Sequence, residues 1–571
     1  MERASLVLVL AAALTGCGSG GEMQEPVSQW DAFRDRFVEG YFERHPVVAV
    51  AQGRHDFDGR LPDWSQEGLA ATVEFLKNSI REAEAFDAAD LNESEAFERD
   101  YLTAVADGEL FWIETARQPF TNPFFYMHWA LDSLDPGPYV TRDYAPLDER
   151  LRAYIQHARG IPEAAAHIRA NLETPVAAPH ARMANASYSG LADYLATDVP
   201  TVFRDVPDGS LQQQLIDANT PAVSALRDLA AWFAEQEALA GGSYALGPEL
   251  FQQMTARTER LDVPLERLRE VGQADMDRNR AALVEACEEL APGRPIPECI
   301  AMVQDDKPEG GALAGARRQL TELRAFLREK GVVTVPVEEE ALVRETPPHM
   351  RWNTAFIDIP GPYEKDLPSL YYISPPDPSW SEEKQHAYMP GEADLLFTSI
   401  HEVWPGHFLH GLHSQQAASD FARVFGSYAF TEGWAHYAEE MMWESGYGGG
   451  DPAVHIGQLL NALLRNARYL AAIGLHTGEM KLADAEQFFI EQAYQDAPTA
   501  QQQALRGTFD PAYLNYTLGK LMLLKLRQDW TASSGGAEAW REFHDRVLSY
   551  GGPPVPLLRR ELLGEDSGPA L

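Results

Sequence analysis

The chain has 571 residues, of which 45% are hydrophobic and 10% aromatic. That is enough apolar material for a large core, and it excludes a disordered or low-complexity scaffold. The 47 Lys and Arg stand against 86 Asp and Glu, a net charge of −39, which repels nucleic-acid phosphate and anionic lipid; with no basic run to offset it, nucleic acid is not an expected partner.

At the amino end, Arg3 precedes the apolar run Leu6 to Ala13, which is too short for the roughly 20 residues of a bilayer span. The run ends in Leu14-Thr15-Gly16-Cys17, which resembles the bacterial lipobox, where the signal is cut before a cysteine that is then lipidated. A plain secretory signal with an incidental cysteine is the alternative. The expected organisation is a signal at 1–16, a lipidated Cys17 with a flexible tether at 17–28, and a body at 29–571. No later stretch has the unbroken apolar length of a membrane span. The expected location is the cell envelope, facing the periplasm, with the bilayer (the outer membrane by expectation) reached only through the Cys17 anchor.

Helical periodicity dominates the body. Trp30, Phe33, Phe37, Val38, Tyr41 and Phe42 share one helical face, and Leu265, Leu268 and Val271 repeat the pattern after Pro264. Cys287 and Cys299 then flank a Pro/Gly turn. In an oxidising compartment they are expected to close a disulfide; two buried free thiols are the alternative, and no nearby ligand completes a metal set. The loop at 308–315 is the expected junction between two lobes. Strand signals cluster at Val332–Val337, Ala355–Ile359 and Leu370–Ile373, and helical spacing returns from Ile456 to Ile473 and from Leu514 to Leu526. The expected fold is mainly α, large and two-lobed, with one small β-sheet just before residue 390.

Chemistry concentrates after that sheet, in His401-Glu402-Val403-Trp404-Pro405-Gly406-His407. A His followed by Glu on a helix, with a second His further on, is how zinc hydrolases place two ligands beside a general base. The usual spacing is four residues, an offset of about 40° on a helix, whereas the six found here give about 120°, too far apart to chelate one ion. The backbone therefore has to bend between them. Pro405 cannot donate its amide to the His401 carbonyl and Gly406 tolerates unusual dihedrals, so the helix is weakest where His407 must swing back. A second element, Thr431 to Glu439, is helical and sets Glu432, His436 and Glu439 on one face. Glu432 suits a third ligand, and Glu439 a carboxylate behind the ligands or a substitute for one.

HEVWPGH followed by TEGWAHYAEE resembles the bacterial family called domain of unknown function 885. That family is grouped with thermolysin-like metallopeptidases, and its helical build is similar to that of the angiotensin-converting and oligoendopeptidase enzymes. The resemblance extends to Arg468 and Gly474-Leu475-His476, and to Arg506, Pro511, Tyr516 and Gly519. It implies a single zinc ion held by His401, His407 and Glu432, with Glu402 as general base. It also implies Tyr516 or His476 as oxyanion donor, and His436, Glu439, Arg468 and Arg506 as supporting or substrate-binding groups. Phe408, His410, Ala472 and the triplet Pro511-Ala512-Tyr513 depart from the family pattern and put substrate specificity and catalytic vigour in question.

The chemistry such a site supports is metal-assisted hydrolysis of a peptide bond. The strand Tyr371–Ile373, with Tyr372 at its centre, is expected to be an edge that pairs with a peptide backbone. Ion and peptide are the expected ligands; oligomeric state leaves no mark in the sequence. A second reading is a non-catalytic envelope lipoprotein that keeps the fold and binds peptides or a protein partner. Glu402 beside His401 argues against it, because a binding protein needs no base there. Hydrolysis of a non-peptide amide is a third. There is no phosphate-binding loop, dinucleotide fingerprint or G-x-S-x-G elbow.

Overall fold

The computed structural model describes residues 28–571 apart from 88, 128–132, 240, 348–350, 352–353 and 365. The signal, Cys17 and the tether up to residue 27 lie outside the described residues.

Ser28 opens helix α1 (Gln29–Arg44) as an N-cap, its hydroxyl accepting from the Asp31 amide. The six apolar residues of its face are all buried, from Phe42 at 0% exposure to Tyr41 at 7%. They belong to an N-terminal core shared with three long helices, α2 (Leu147–Asn171), α3 (Ala178–Phe203) and α4 (Gly209–Ala238), of which α4 packs on both others. This core runs from Trp30 to Phe233 and recruits Phe421 and Leu557.

The rest of the chain builds around helices α5 (Leu265–Leu290), α6 (Ile296–Asp305) and α7 (Ala312–Lys330), a small sheet, and six more helices. These are α8 (Glu392–Glu402), α9 (His407–Ser414), α10 (Tyr428–Glu444), α11 (Pro452–Thr477), α12 (Ala497–Phe509) and α13 (Asn515–Thr531). Helix α11 is the axle: α5, α8 and α12 all pack on it. Cys287 on α5 and Cys299 on α6 are joined in a disulfide with Cα atoms 5.8 Å apart. The chain is 69% helical, so the mainly α reading holds. Among the described residues no helix is long and apolar enough to cross a membrane.

Packing divides on either side of the segment 239–247, since the second core starts in earnest at Phe251. Residues 308–315 form the turn into α7 and its first residues, and α6 and α7 both pack on α8.

The sheet has strands β1 (Leu342–Glu345), β2 (Ala355–Asp358) and β3 (Leu370–Ile373) in the order β1-β3-β2. β3 pairs in parallel with β1, Leu342 opposite Leu370, and antiparallel with β2, Ala355 opposite Ile373. Two expectations are corrected here. Tyr371–Ile373 is the central strand, with both edges occupied, so it has no free ladder for a peptide. Val332–Val337 is not a strand, because its polar groups are taken by side chains: the Val332 carbonyl accepts from His544 Nδ1 at 2.6 Å, the Thr334 carbonyl from His413 Nε2 at 2.9 Å, and the Thr334 amide donates to Asp545 at 2.8 Å. The sheet lies against the site as expected: Tyr371 Oη is 3.4 Å from Ser399 Oγ on α8, two residues before His401.

Candidate metal centre

Helix α8 ends at Glu402 and α9 begins at His407, so the six-residue spacing is resolved by a break. At the break Gly406 donates its amide to the Ile400 carbonyl at 2.9 Å. A Cβ on Gly406 would stand 1.8 Å from the His401 carbonyl oxygen, so only glycine fits. The Trp434 indole of α10 donates to the Pro405 carbonyl at 2.9 Å and ties the turn to the helix that carries Glu432.

The three expected ligands meet. Glu432 Oε2 lies 3.3 Å from His401 Nε2 and 3.3 Å from His407 Nε2, and one ligand atom from each residue falls within 4.8 Å of the others. Although so close to both histidines, Glu432 Oε2 is buried without hydrogen-bond geometry to either. Two donors each about 2.0–2.1 Å from one tetrahedral ion stand about 3.3 Å apart, the spacing of Glu432 Oε2 from each imidazole nitrogen. His407 keeps 14% of its side chain exposed against 6% for His401.

Electrostatics suit a cation. Burial opposes charge on Glu432, but His407 and His401 hold its carboxyl well below the ordinary range. Burial and Arg465 work against a proton on His401, yet Glu432 and Glu439 raise it to about 9, so proton and metal compete for the same nitrogen. Burial raises Glu402 from the ordinary carboxyl value despite His401 and His407, the direction that favours a proton acceptor.

Behind the triad, His401 Nδ1 is 2.8 Å from Glu439 Oε1, which takes its proton and leaves Nε2 free to face the centre. Arg465 Nη2 lies 3.2 Å from both that oxygen and His401 Nδ1. A ring nitrogen that donates to the carboxylate cannot also accept, so the Arg465 bond is to Glu439. His436, fully buried, sits 3.4 Å from Glu439 Oε2 and burial lowers it to about 4, a neutral ring buttressing the carboxylate.

Tyr516 closes the other side. Helices α10 and α13 cross at two glycines so tightly that a Cβ on Gly433 would be 2.5 Å from Gly519 Cα. Tyr516, one turn before Gly519, is thereby set beside Glu432, one residue before Gly433. Its ring stacks on His401 at 6.2 Å and 18°. Arg506 reaches its hydroxyl at 3.5 Å and also bonds Tyr428 Oη at 3.0 Å and Asp510 at 3.1 Å. Arg468 lies over the same ring, 5.1 Å from its centroid.

Two expected site residues are elsewhere. His476 donates from Nε2 to the Gly507 carbonyl at 2.7 Å and accepts at Nδ1 from the Leu246 amide at 3.4 Å. It is a strut of the core, eleven residues past Arg465 and so roughly 16 Å further along α11. Tyr372 stacks on Phe356 at 5.0 Å within the sheet and makes no contact with the triad among the described residues. Positions that depart from the family pattern also lie outside the triad: Phe408, Ala472 and Tyr513 are core residues, and His410 bonds the Gly551 carbonyl at 3.0 Å. Sequence reasoning missed Arg465, Tyr428 and the Trp434 clamp. An arginine within the mostly apolar run of α11 was the available signal for the first; the other two depend on tertiary packing alone.

Fold and site together define a helical protein with a buried histidine–glutamate cluster at a broken helix. Residues 46–562 match the family described as "Bacterial protein of unknown function (DUF885)", and the chain belongs to it. Two solved structures have the same fold. One is a candidate lipoprotein of unknown function from Shewanella oneidensis, 24% identical, with TM-score 0.77 over 94% of this chain and 100% of that one. The other is a candidate lipoprotein from Colwellia psychrerythraea, 18% identical, with TM-score 0.77 over 94% of this chain and 98% of that one. No curated protein matches the sequence.

Proposed function

We propose that this protein is a zinc-dependent peptidase of the cell envelope. The observation that carries the reading is Glu432 Oε2, buried 3.3 Å from two imidazole nitrogens yet hydrogen-bonded to neither. Such an oxygen is costly to bury unless a cation joins the three. The donor set of two histidines and a glutamate, with a second glutamate directly after the first histidine, resembles that of thermolysin-type enzymes.

His401, His407 and Glu432 would hold a zinc ion, which when bound would lower the pKa of a water towards neutrality and polarise a carbonyl. Glu402 takes the proton of the attacking water and returns it to the leaving amine. The Tyr516 hydroxyl donates to the oxygen that becomes negative as the carbonyl is attacked. Glu439 and Arg465 keep His401 in one tautomer and orientation throughout. The outer side of β2, which packs near α8 and has no strand partner there among the described residues, is an edge on which a peptide backbone can pair. The lipobox-like tetrapeptide and the description of both structural neighbours as candidate lipoproteins support attachment through Cys17.

Elemental analysis and chelator-controlled digestion of a peptide library test the reading. About one zinc per chain is expected in the wild type and in Glu402→Gln, with cleavage only in the former, and zinc is lost in His401→Ala and His407→Ala. Turnover retained by Glu402→Gln rejects Glu402 as the base. Full metal occupancy in His407→Ala rejects the ligand set. Stoichiometric zinc with no cleavage of any peptide favours the binding-lipoprotein reading.

A further inference from the structure

Three guanidinium groups surround one phenol beside the triad. Arg465, Arg468 and Arg506 lie 5.8, 5.1 and 5.7 Å from the centroid of Tyr516. Their charges are not equally matched. Arg465 has Glu439 at 3.2 Å and Arg506 has Asp510 at 3.1 Å. Among the described residues no carboxylate stands within ion-pair distance of Arg468, whose one side-chain partner is Gln503, taking its Nε proton at 2.8 Å. Its two terminal nitrogens have no protein acceptor there and are not sealed from solvent. Burial and the neighbouring Arg506 push Arg468 down to about 10. A guanidinium offers two parallel N–H donors with the geometry of a carboxylate, so an arginine left open in this way is a ready carboxylate receptor.

Its position sets which carboxylate. Tyr516 is the shared neighbour: His401 stacks on one side at 6.2 Å and Arg468 lies 5.1 Å from the same ring. Extended peptide advances about 3.3–3.6 Å per residue. The gap between the metal point and Arg468 is therefore filled by a few residues at most.

We infer that Arg468 receives the C-terminal carboxylate of the substrate, so that the protein trims peptides from that end and releases fragments of one to three residues. The inference rests on the peptidase reading for cleavage, but the carboxylate site itself is open to test by binding alone. Arg506, held by Asp510 and Tyr428, and Arg465, held by Glu439, add positive potential without competing for the ligand.

The test uses the Glu402→Gln protein, in which bound peptide is not consumed. An acetylated, randomised pentapeptide library is offered as free acids and as carboxamides, with bound peptides read by mass spectrometry. Free acids are expected to bind about 10- to 100-fold tighter than amides, the range for one charge-assisted pair. Adding Arg468→Met removes that preference while amide binding, zinc content and melting temperature stay as they were. Arg468→Lys keeps the charge without the fork, restores part of the preference and so guards against a folding artefact. Equal binding of acids and amides, or a preference that survives Arg468→Met, overturns the inference. Selective retention of amides ending in Asp or Glu assigns Arg468 to an acidic side chain instead and also overturns it. Wild-type digests read for product mass complete the test: short C-terminal fragments are expected, and internal cuts in amidated peptides overturn the trimming claim. A protein without zinc or turnover that still prefers free acids leaves the receptor standing and removes the peptidase reading alone.

Discussion

Tyr516 carries the sharpest prediction for a single side chain. Its ring is held by His401, Tyr428 and three arginines, so Tyr516→Phe keeps the packing and removes only the hydroxyl. If that hydroxyl stabilises the developing oxyanion, kcat falls by about 10²–10³ while zinc content and KM hardly change. A kcat within about twofold of wild type, measured under saturating peptide, assigns the residue to packing. His476→Gln is the contrast: it loosens the bonds to Gly507 and Leu246 and lowers the melting temperature without entering the chemistry. Activity also has an acid limit. A base works only when deprotonated, and burial raises Glu402, so kcat/KM is expected to fall with acid from a pH above the ordinary glutamate range. A profile flat through that region denies Glu402 the role.

Among the elements, the break between α8 and α9 and the crossing of α10 with α13 hold the most information. Gly406→Ala forces a methyl onto the His401 carbonyl, 1.8 Å away, and is expected to cost at least about 1–3 kcal/mol and to lower zinc content as His407 moves; unchanged metal and melting temperature would dispose of the steric account. Lys520 of α13 is fully buried and bonds Asp275 of α5 at 2.8 Å and Glu440 of α10 at 3.2 Å. Lys520→Met leaves two carboxylates short of a partner and is expected to destabilise by about 3–5 kcal/mol in urea unfolding. Burial opposes charge on Glu440, but Lys520 and Arg278 bring it down to about 2. The stabilisation it adds is complete above the unfolded value of about 4.3 and is lost as pH falls towards 2, because the unfolded state takes up the proton first. The break and its cause were legible in the Pro-Gly pair, as were the helical face of α1 and the strands at 355 and 370. Missing from the sequence was everything set by side chains distant in the chain: His544, His413 and Asp545 deny strand pairing to Val332–Val337, while Leu342–Glu345 pairs despite its charged flank. The order β1-β3-β2 cannot be read from local propensity, so the central place of Tyr372 was hidden.

For the whole molecule, charge and the proposed anchor act against each other. A net charge of −39 gives the body no electrostatic hold on an anionic bilayer. With the proposed Cys17 anchor, membrane association of the wild type is expected to persist in high salt, since acyl chains, unlike charge attraction, are not screened by salt. Cys17→Ser is expected to move the protein to the soluble fraction; equal partitioning of both forms would refute the anchor. The disulfide belongs to the same setting. It joins α5 to α6 beneath α11, away from the triad, so Cys287→Ser is expected to cost about 3 kcal/mol of stability by opening its short loop and to leave zinc content intact.

Helix α10 supplies Glu432 of the proposed ligand set, the Trp434 clamp on the turn, the Glu439 carboxylate behind His401 and, at Glu440, the link to Lys520. Four attachments on little more than two turns make that helix a single cooperative unit. If the proposed ion is bound, its removal is felt along the whole helix: amide hydrogens of α10 are expected to exchange with deuterium together, at one common opening rate, rather than fraying from Glu432 outward.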